Sequence, residues 1–362
     1  MCHSSESRPP APPRSTPTDD HGPITLTTGD GVRSIAYAAH PAAGADTGVG
    51  VVILPDVRGA HAFYRDLAVR FAEAGSHAIV IDYYGHLTDD QERGDDFEWR
   101  SRLPQVDAGT VEPVVAAALD ELTGAGVRHS FSVGFCFGGS QSWLLAASEL
   151  PLAGVIGFYG DPELVEPRLS ELHRPMLLLV AGADVATNRE RSEAFERALT
   201  QAGVPHQQRI YDGAPHSFFD RSATEWADAC TDAWQRLLDF IAERTAAAPT
   251  AEQARRSAYT TLDEVLPDLS RYAREFAHGT INARDGLSGR DRELVILGAL
   301  IALGDTGRQL RAHVAVAMEH GVTGPELVEI ILQALPYAGF PRTINATLEL
   351  SEQLRTIRVA GR

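Results

Sequence analysis

The sequence predicts an α/β domain followed by a smaller domain made only of helices. From about residue 22 to residue 244, short β-branched runs alternate with longer amphipathic runs, as in a sheet that carries helices on both faces. Beyond about residue 259, the apolar residues recur at helical spacing alone. A chain of 362 residues with 44% hydrophobic residues is long enough and apolar enough for two packed cores.

The composition excludes several classes of partner. A net charge of −17 would repel the phosphates of nucleic acids and of anionic membranes. The most apolar run, residues 294–303, is well short of the roughly 20 residues that span a bilayer. The cysteines Cys2, Cys136 and Cys230 are too few and too scattered for a disulfide framework or a zinc site, which fits a reducing cytoplasm. We therefore expect a soluble cytoplasmic protein that binds a small molecule.

Taken in order, the chain begins with a stretch rich in Pro, Ser and Thr, for which we expect no fold. Residues 1–20 are accordingly predicted to be a disordered tail, and residues 21–245 the α/β domain. Eight strands are predicted at residues 24–27, 34–38, 51–54, 78–81, 130–133, 154–158, 176–180 and 207–211. Five helices are predicted at residues 64–74, 110–122, 140–150, 190–202 and 224–243.

The hexapeptide Gly-Phe-Cys-Phe-Gly-Gly, residues 134–139, joins a predicted strand to a predicted helix. A Gly-x-nucleophile-x-Gly turn at such a junction lifts the central side chain above the sheet, in a strained conformation that only small neighbours tolerate. The central residue is Cys136, and the positive end of the helix dipole favours its thiolate. A buried structural cysteine is the alternative, but the flanking glycines favour a nucleophile.

Such a nucleophile needs a base, and an acid that orients the base, in loops at the carboxyl ends of later strands. Asp184 follows the strand at 176–180 in Ala-Gly-Ala-Asp, and His216 follows the strand at 207–211 in Gly-Ala-Pro-His-Ser-Phe. Taken singly, each is equally well explained as a solvated loop residue. Their order along the chain predicts a Cys-His-Asp triad, in which His216 takes the thiol proton and Asp184 fixes the imidazole tautomer.

The motifs Gly-Phe-Cys-Phe-Gly-Gly, Ala-Gly-Ala-Asp and Ala-Pro-His-Ser-Phe-Phe resemble those of the dienelactone hydrolase family, a cysteine-dependent branch of the α/β-hydrolase fold. The resemblance extends over about residues 22–245. It implies hydrolysis of cyclic enol-lactones, intermediates of aromatic-ring breakdown, through an acyl-cysteine that water cleaves. It also implies an oxyanion hole formed by the backbone N–H groups of Val57 and Phe137, since two converging donors are what a tetrahedral oxyanion needs.

The chain departs from the family pattern where the substrate is expected to bind. Asp56 stands where the best-known members have Glu, and the resemblance implies that this carboxylate controls the proton on the resting thiol. His86 stands where a substrate-binding Arg is expected, and Arg221 matches a later Arg only loosely. Arg58 or Arg221 is a candidate to bind a substrate carboxylate, with a surface charge as the alternative for each.

Residues 246–258 lack apolar periodicity and are predicted to be a linker to a helical domain at residues 259–362. Helix starts are marked by the capping pairs Ser288 with Asp291 and Thr323 with Glu326, and helix ends by Gly304 and Gly321. Residues 294–303 are apolar on every side, so we expect them to be buried against other helices or other subunits. The second domain is therefore predicted to form a homo-oligomer.

One helix of this domain, residues 307–320, carries a histidine on its apolar face. The apolar stripe consists of Leu310, Val314, Ala317 and Met318. His313 falls on the same face, and Glu293 supplies a polar group for it. Because a lone histidine on an apolar face is commonly a satisfied core residue, a core role and a functional role both stay open.

Three segments of the second domain resemble the carboxymuconolactone decarboxylase family, over about residues 259–356. They are Gly-Arg-Asp-Arg-Glu-Leu-Val at 289–295, Leu-Arg-Ala-His-Val at 310–314 and Leu-Gln-Ala-Leu-Pro-Tyr-Ala-Gly-Phe-Pro at 332–341. Some relatives reduce disulfides with a Cys-x-x-Cys, but this chain has no cysteine after Cys230, which excludes dithiol chemistry. The decarboxylase branch implies loss of CO2 from a lactone acid with a general acid such as His313, and without metal or organic cofactor.

The two resemblances imply neighbouring steps of protocatechuate breakdown, in which the decarboxylase product is an enol-lactone that a lactonase opens. The sequence thus predicts a two-domain enzyme, a Cys-His-Asp lactone or ester hydrolase joined to a decarboxylase-like domain. One alternative is a general carboxylesterase whose second domain only forms oligomers. Another is a pair of non-enzymatic ligand binders, which the order of the triad residues disfavours.

Overall fold

A computed structural model describes residues 3–87, 93, 94, 96–245, 266–351 and 354. The chain divides into two compact units, the first ending at Thr245. The predicted linker at 246–258 and the predicted start of the second domain at 259 lie outside the described residues.

The first unit is built on one eight-stranded sheet. Its strands are β1 (His21–Thr27), β2 (Arg33–Ala39), β3 (Val49–Leu54), β4 (Ser76–Ile81), β5 (His129–Phe135), β6 (Leu152–Phe158), β7 (Met176–Ala181) and β8 (His206–Tyr211). They lie in the order β1-β2-β4-β3-β5-β6-β7-β8, and β2 is antiparallel to both neighbours while β4 to β8 are mutually parallel. All eight predicted strands are confirmed, and each extends the predicted range by one to three residues at one or both ends.

Five helices cover the two faces of this sheet. They are α1 (Ala62–Glu73), α2 (Ala108–Gly124), α3 (Phe137–Leu144), α4 (Arg189–Gln201) and α5 (Ala227–Thr245). Alternate residues of a strand face opposite ways, so Val51 and Ile53 pack in a core with α1 and α5, while Val52 and Leu54 pack in a core with α2 and α4. The predicted α/β class with helices on both faces is therefore confirmed.

The third helix differs from its predicted range of 140–150. It begins at Phe137, directly after the cysteine of the elbow, and ends at Leu144, with a short 3-10 turn at Leu145–Ala147. The turn closes with Ser148, which is extended and whose hydroxyl donates to the carbonyl of Leu145 at 2.8 Å. A serine that bonds a backbone carbonyl in this way competes with the helix, which explains the early end.

The N-terminal stretch corrects the prediction of a disordered tail. Residues 3–20 form no regular element, yet Pro9 and Pro10 are buried. The Trp234 indole donates to the carbonyl of Pro10 at 3.1 Å, and the Thr16 amide donates to Glu73 at 2.8 Å. A proline-rich segment leaves its carbonyls unpaired internally and loses little entropy on ordering, so it can pair along the surface of a folded unit without periodicity of its own.

The second unit contains helices only among its described residues. They are α6 (Pro267–Tyr272), which continues as a π-helix (Ala273–Ile281), α7 (Gly289–Leu303), α8 (Gly307–Glu319) and α9 (Gly324–Glu349). The predicted caps are confirmed, because Ser288 accepts from the Asp291 amide and Thr323 forms a capping box with Glu326. Gly304 and Gly321 follow α7 and α8 with φ of 73° and 86°, and α9 is kinked at Gly339, whose φ is 79°.

The apolar residues of this unit are only partly covered within one chain. Leu297 and Ile301 of α7 are buried, but Val295 is 63% and Leu303 is 68% exposed, so the expected burial is met only in part within one chain. In α8 the predicted stripe is buried except for Met318, which is exposed. No described helix of the protein combines the length and the apolar character that crossing a bilayer demands.

Candidate active site

Residues that follow the carboxyl ends of five strands lie at one edge of the sheet. Asp56 follows β3, Cys136 follows β5, Tyr159 follows β6, Asp184 follows β7 and His216 follows β8. Since β3, β5, β6, β7 and β8 are parallel neighbours, their carboxyl ends form a single crevice edge. The predicted triad residues thus belong to one edge.

Cys136 has the backbone strain expected of a nucleophile elbow. Its φ is 57° and its ψ is −118°, and it is the residue that precedes the first turn of α3. Its side chain is partly exposed, and its amide donates to the Phe158 carbonyl at 3.0 Å. A non-glycine residue in this region costs about 1–3 kcal/mol, and such strain commonly accompanies active sites.

The glycines of the elbow are required by close backbone approach. A Cβ on Gly134 would overlap the carbonyl of Gly138, and a Cβ on Gly138 would overlap the carbonyl of Leu54. A Cβ on Gly139 would lie 2.5 Å from the carbonyl of Phe158. The small residues that suggested the motif therefore let α3 start against β3 and β6.

Asp184 and His216 form the acid and imidazole pair that the triad needs. His216 Nδ1 lies 2.6 Å from Asp184 Oδ2, and Asp184 Oδ1 accepts from the Ala186 amide at 2.8 Å. The Asp184 side chain is 2% exposed and that of His216 is 23% exposed. A carboxylate at Nδ1 holds the proton there, which makes Nε2 the nitrogen that can accept a thiol proton.

Tyr159 belongs to the same edge as Cys136 and His216, and the sequence analysis did not identify it. Its ring lies 4.9 Å from the His216 ring, and the carbonyl just before it accepts the Cys136 amide. Its φ of 38° makes it a second strained residue at this edge. Its position in the sheet could have identified it. Phe158 pairs with Phe135, so Tyr159 directly follows β6 at the same level at which Cys136 follows β5.

Asp56 lies in a buried cluster with Arg58 and His61. Its Oδ1 accepts from the Arg58 amide at 2.9 Å, and its Oδ2 lies 3.3 Å from His61 Nε2 and 3.6 Å from Arg58 Nη2. Burial raises the pKa of Asp56, but His61 and Arg58 outweigh it and hold the pKa well below its usual range. Among the described residues, the bonding partners of this carboxylate are in its own loop, and no hydrogen bond joins it to Cys136.

The two predicted oxyanion donors belong to segments that touch. Gly138 packs against Leu54, in the segment that leads to Val57, and the Tyr83 hydroxyl donates to the Pro55 carbonyl at 2.9 Å. The Tyr83 ring also meets the Phe137 ring edge-on at 5.4 Å. As the first residue of α3, Phe137 has an amide with no acceptor inside the helix.

The three candidate substrate-binding cations have different surroundings. Arg58 is buried, and its guanidinium bonds His61 Nε2 at 3.1 Å and lies beside Asp56, so it is not a surface charge. His86 and Arg221 are exposed, and the Arg221 amide donates to the carbonyl of Arg8 at 2.9 Å.

A second buried ion pair braces the loop after β4. Arg93 Nη2 lies 2.6 Å from Asp82 Oδ2, and both side chains are buried. Asp82 also accepts from the Tyr84 amide at 3.0 Å, and the Arg93 guanidinium lies 4.5 Å from the Phe97 ring. Burial raises the pKa of Asp82 while Arg93 lowers it. The pair thereby fixes the loop that carries Tyr83.

The helical unit contains its own carboxylate and imidazole pair. Glu293 of α7 places Oε2 2.8 Å from Nδ1 of His313 on α8. The Glu293 side chain is 7% exposed and that of His313 is 26% exposed. A cavity of about 430 Å³ in this unit lies among α7, α8 and α9, and neither Glu293 nor His313 lines it. Within the described residues, no group of three or more His, Cys, Asp or Glu could hold a metal ion.

Comparisons with known proteins assign both halves of the chain. Residues 35–245 match the Dienelactone hydrolase family, and residues 267–352 match the Carboxymuconolactone decarboxylase family. A carboxymethylenebutenolidase of Rhodococcus opacus is 29% identical over 259 residues, which cover 67% of this chain and 96% of the relative.

Two solved structures share the fold of the first unit. The structure named m3DLH has a TM-score of 0.52 and 23% identity, and the match covers 63% of this chain and 99% of that chain. Brefeldin A esterase, a bacterial homologue of human hormone sensitive lipase, has a TM-score of 0.50 and 16% identity, covering 64% of this chain and 79% of that one. At these identities the likeness establishes the fold alone.

Proposed function

Because the chain belongs to the dienelactone hydrolase family, whose members are ester and lactone hydrolases, we propose that its first unit uses Cys136 as the nucleophile with His216 and Asp184. The observation that carries this proposal is the 2.6 Å bond between Asp184 and His216, at the sheet edge where the strained Cys136 directly precedes α3. Its substrate is a small ester or lactone.

In the acylation step, His216 Nε2 takes the thiol proton while the sulfur attacks the carbonyl carbon of the lactone. The tetrahedral oxygen carries the negative charge, and the amides of Val57 and Phe137 are the donors we assign to it. When the intermediate collapses, the ring C–O bond breaks and the imidazolium returns its proton to the leaving oxygen. For a lactone the leaving oxygen stays attached to the acyl group.

In the deacylation step, His216 takes a proton from water, and the resulting hydroxide attacks the thioester carbon. The C–S bond then breaks, the sulfur leaves as the thiolate, and the imidazolium protonates it. The products are an opened acid and the resting enzyme. Asp184 stays ionised throughout and stabilises the imidazolium.

We assign to Asp56 the control of the resting thiol. A carboxylate that His61 and Arg58 keep ionised is a poor base, so it acts by charge: it disfavours a resting thiolate until His216 takes the proton. Arg58 is buried beside Asp56, whereas His86 and Arg221 are exposed and open to a substrate carboxylate.

The substrate class we propose is a cyclic enol-lactone from the breakdown of an aromatic compound. It is supported by the paired family matches, since a decarboxylase domain and a lactone hydrolase act on related lactone acids. The alternative, a general carboxylesterase, would prefer neutral esters. We propose the cytoplasm as its location, because the described cysteines Cys136 and Cys230 are free thiols.

The test is to trap the acyl-enzyme. Full-length protein is mixed with enol-lactones and with 4-nitrophenyl acetate, quenched in acid, and analysed by intact mass and peptide mapping. We expect an acyl adduct on the peptide that contains Cys136 and faster turnover of the enol-lactone. An adduct elsewhere, or turnover without dependence on this thiol, would refute the triad.

For the helical unit we propose decarboxylation with His313 as the proton donor, supported by its bond to the buried Glu293. The C–C bond to the carboxylate breaks, CO2 leaves, and the electron pair moves into the conjugated lactone. His313 then protonates the carbon that carried the carboxylate and takes up a new proton from solvent. An assay that measures both the CO2 released and the carboxymuconolactone consumed tests this step.

We also propose that this unit assembles copies of the chain, whether or not it is catalytic. The support is its exposed apolar residues, including Val295, Leu303, Tyr337 and Phe340, because large apolar surfaces on a folded unit commonly mark interfaces. Light scattering of the full chain is expected to give the mass of an oligomer, not of a monomer. Tyr337→Glu should dissociate it, whereas Val185→Glu, at a fully exposed position of the first unit, should not.

A further inference from the structure

The N-terminal stretch brings a histidine to the side of the active site. The His3 ring is buried and stacks on the Phe63 ring of α1, with centroids 3.7 Å apart and planes 11° apart. Burying an imidazole is unfavourable unless its polar atoms find partners. The partners of His3 belong to the loops that carry the proposed catalytic groups.

The first link leads to the catalytic base. His3 Nε2 and the Tyr159 hydroxyl are 3.2 Å apart, which is a buried hydrogen bond. The Tyr159 ring in turn packs at 4.9 Å from the His216 ring. The bond to His3 thus fixes the orientation of Tyr159 relative to His216.

The second link leads to Asp56, the buried carboxylate that follows β3. The Arg58 guanidinium donates to the backbone carbonyl of His3. The same guanidinium bonds His61 and lies 3.6 Å from Asp56, so the His3 carbonyl helps to hold Arg58 in place. The charged and titratable groups around His3 include Asp56, His61 and Asp220.

The stretch is anchored on the far side as well. The Arg8 amide donates to Asp220 Oδ1 at 3.2 Å, the Arg221 amide donates to Arg8 at 2.9 Å, and Trp234 bonds Pro10 at 3.1 Å. Asp220 follows His216 by four residues, so the anchor lies on the histidine loop itself. Contacts on both sides of the stretch describe a fixed wall rather than a removable lid.

We propose that residues 3–10 form a wall of the active site, and that His3 is a positioning residue for the hydrolase reaction. Its side chain orients Tyr159 beside His216, and its carbonyl orients Arg58 beside Asp56. The inference rests on the proposed function, because it concerns the reaction of Cys136. It assigns a role in catalysis to a stretch without regular structure.

The bond to Tyr159 is tested with variants that keep the shape of the site. His3→Phe keeps a ring stacked on Phe63 but loses the bond, His3→Gln keeps a polar group at a similar reach, and Tyr159→Phe removes the partner. We expect His3→Phe and Tyr159→Phe each to lower kcat/KM about tenfold, mainly through kcat, and to shift the acid limb of its pH profile. The double variant should lose no more than the worse single one, and His3→Gln should regain part of the loss.

Glu6→Gln is the matched control, since Glu6 is an exposed residue of the same stretch. It should behave as the parent protein. Deleting residues 3–10 removes both links and should lower kcat/KM about a hundredfold, while circular dichroism shows that the sheet persists. Parent-like activity of His3→Phe, or higher activity after the deletion, would overturn the proposal, the latter by making the stretch an inhibitor.

A readout without substrate separates this inference from the proposed function. The rate of Cys136 alkylation by iodoacetamide, followed against pH by peptide mapping, reports the thiol and its base directly. We expect His3→Phe to shift this profile and Glu6→Gln to leave it in place. If the parent protein hydrolyses nothing through Cys136, the proposed function fails; if it does and the His3 variants match it in both assays, only the positioning role fails.

Discussion

The two units of the protein contain nearly the same carboxylate and imidazole pair in different surroundings. Asp184 and His216 are 2.6 Å apart, Glu293 and His313 are 2.8 Å apart, and in both pairs the carboxylate is buried while the imidazole is partly exposed. Only the first pair shares its unit with a strained thiol. The second unit has no cysteine, so its histidine can transfer a proton but has no thiol to activate. The pair orients an imidazole, and the neighbouring groups decide its chemistry.

The units also differ in how they cover their apolar residues. In the described part of the chain, four large hydrophobic residues of the first unit are exposed, against fourteen in the smaller second unit. The first unit buries its core by itself, with helices on both faces of the sheet. The second unit has apolar surface left over, as expected of a subunit that completes its core in an assembly.

The largest expected effect is the loss of hydrolysis when the Cys136 thiol is removed. Cys136→Ala should lower lactone hydrolysis by about 10⁴-fold or more, because the nucleophile and its base act as a unit. CO2 release by the second unit should not change. Cys230→Ala is the control: burial raises the pKa of Cys230 to about 11, and its sulfur bonds the Phe218 carbonyl at 3.3 Å. If the Cys136→Ala variant retains most hydrolysis, the thiol is not what distinguishes the Asp184–His216 pair from the Glu293–His313 pair.

The next effect compares ion pairs of the two units. Arg93→Met should lower the free energy of unfolding of the first unit by about 3–5 kcal/mol, because it leaves Asp82 buried without its cation. Arg311→Met breaks the exposed pair with Glu349 and should cost less than about 1 kcal/mol. Adding Asp82→Asn to Arg93→Met should recover part of the loss. If urea unfolding gives the same loss of unfolding free energy for Arg93→Met and Arg311→Met, the buried pair is no more important for stability than the exposed one.

His313→Ala distinguishes the catalytic from the structural reading of the second pair. If His313 is the proton donor, CO2 release should fall about 100-fold or more, while subunit number and lactone hydrolysis stay constant. His320→Ala, at an exposed histidine that follows α8, is the control. Dissociation of the assembly and a lower melting temperature, without a specific loss of CO2 release, would show that His313 is a core residue.

The smallest effect concerns the charge of Asp56. Its pKa is lowered in the folded protein, so the ionised form stabilises the fold above the unfolded pKa of about 3.9, and this contribution is lost as the pH falls further. Asp56→Asn should therefore cost about 1–2 kcal/mol near pH 7 and progressively less below pH ~4. It should also alter the pH dependence of acylation. Asp212→Asn, at an exposed carboxylate, should show neither change.

Much of this architecture could be predicted from the sequence because it depends on local pattern. Strands appear as β-branched runs, the elbow as glycines around Cys136, and the order of Asp184 and His216 follows from the order of strands. The predicted end of α3 is too late, because Leu and Ala continue beyond Leu144 while a Ser148 hydroxyl bond ends the helix.

Other parts depend on contacts between distant residues, which no local pattern reveals. Tyr159 and His61 become recognisable only when neighbouring strands and loops are aligned. His3 lies in a stretch whose composition indicates disorder, and its partners are far along the chain. For residues 294–303, hydrophobicity on every side shows that something must cover them but not whether it is the same chain.

The bond between Pro10 and Trp234 joins residues that are 224 positions apart, and this affects the order of biosynthesis. At about 5–20 residues per second, residues 3–10 leave the ribosome many seconds before α5 exists to receive them. The anchoring of Pro10 on α5 can therefore form only after that helix has been made. A nascent chain that stalls before Trp234 would contain Cys136 and His216 but would lack this anchor of the N-terminal stretch.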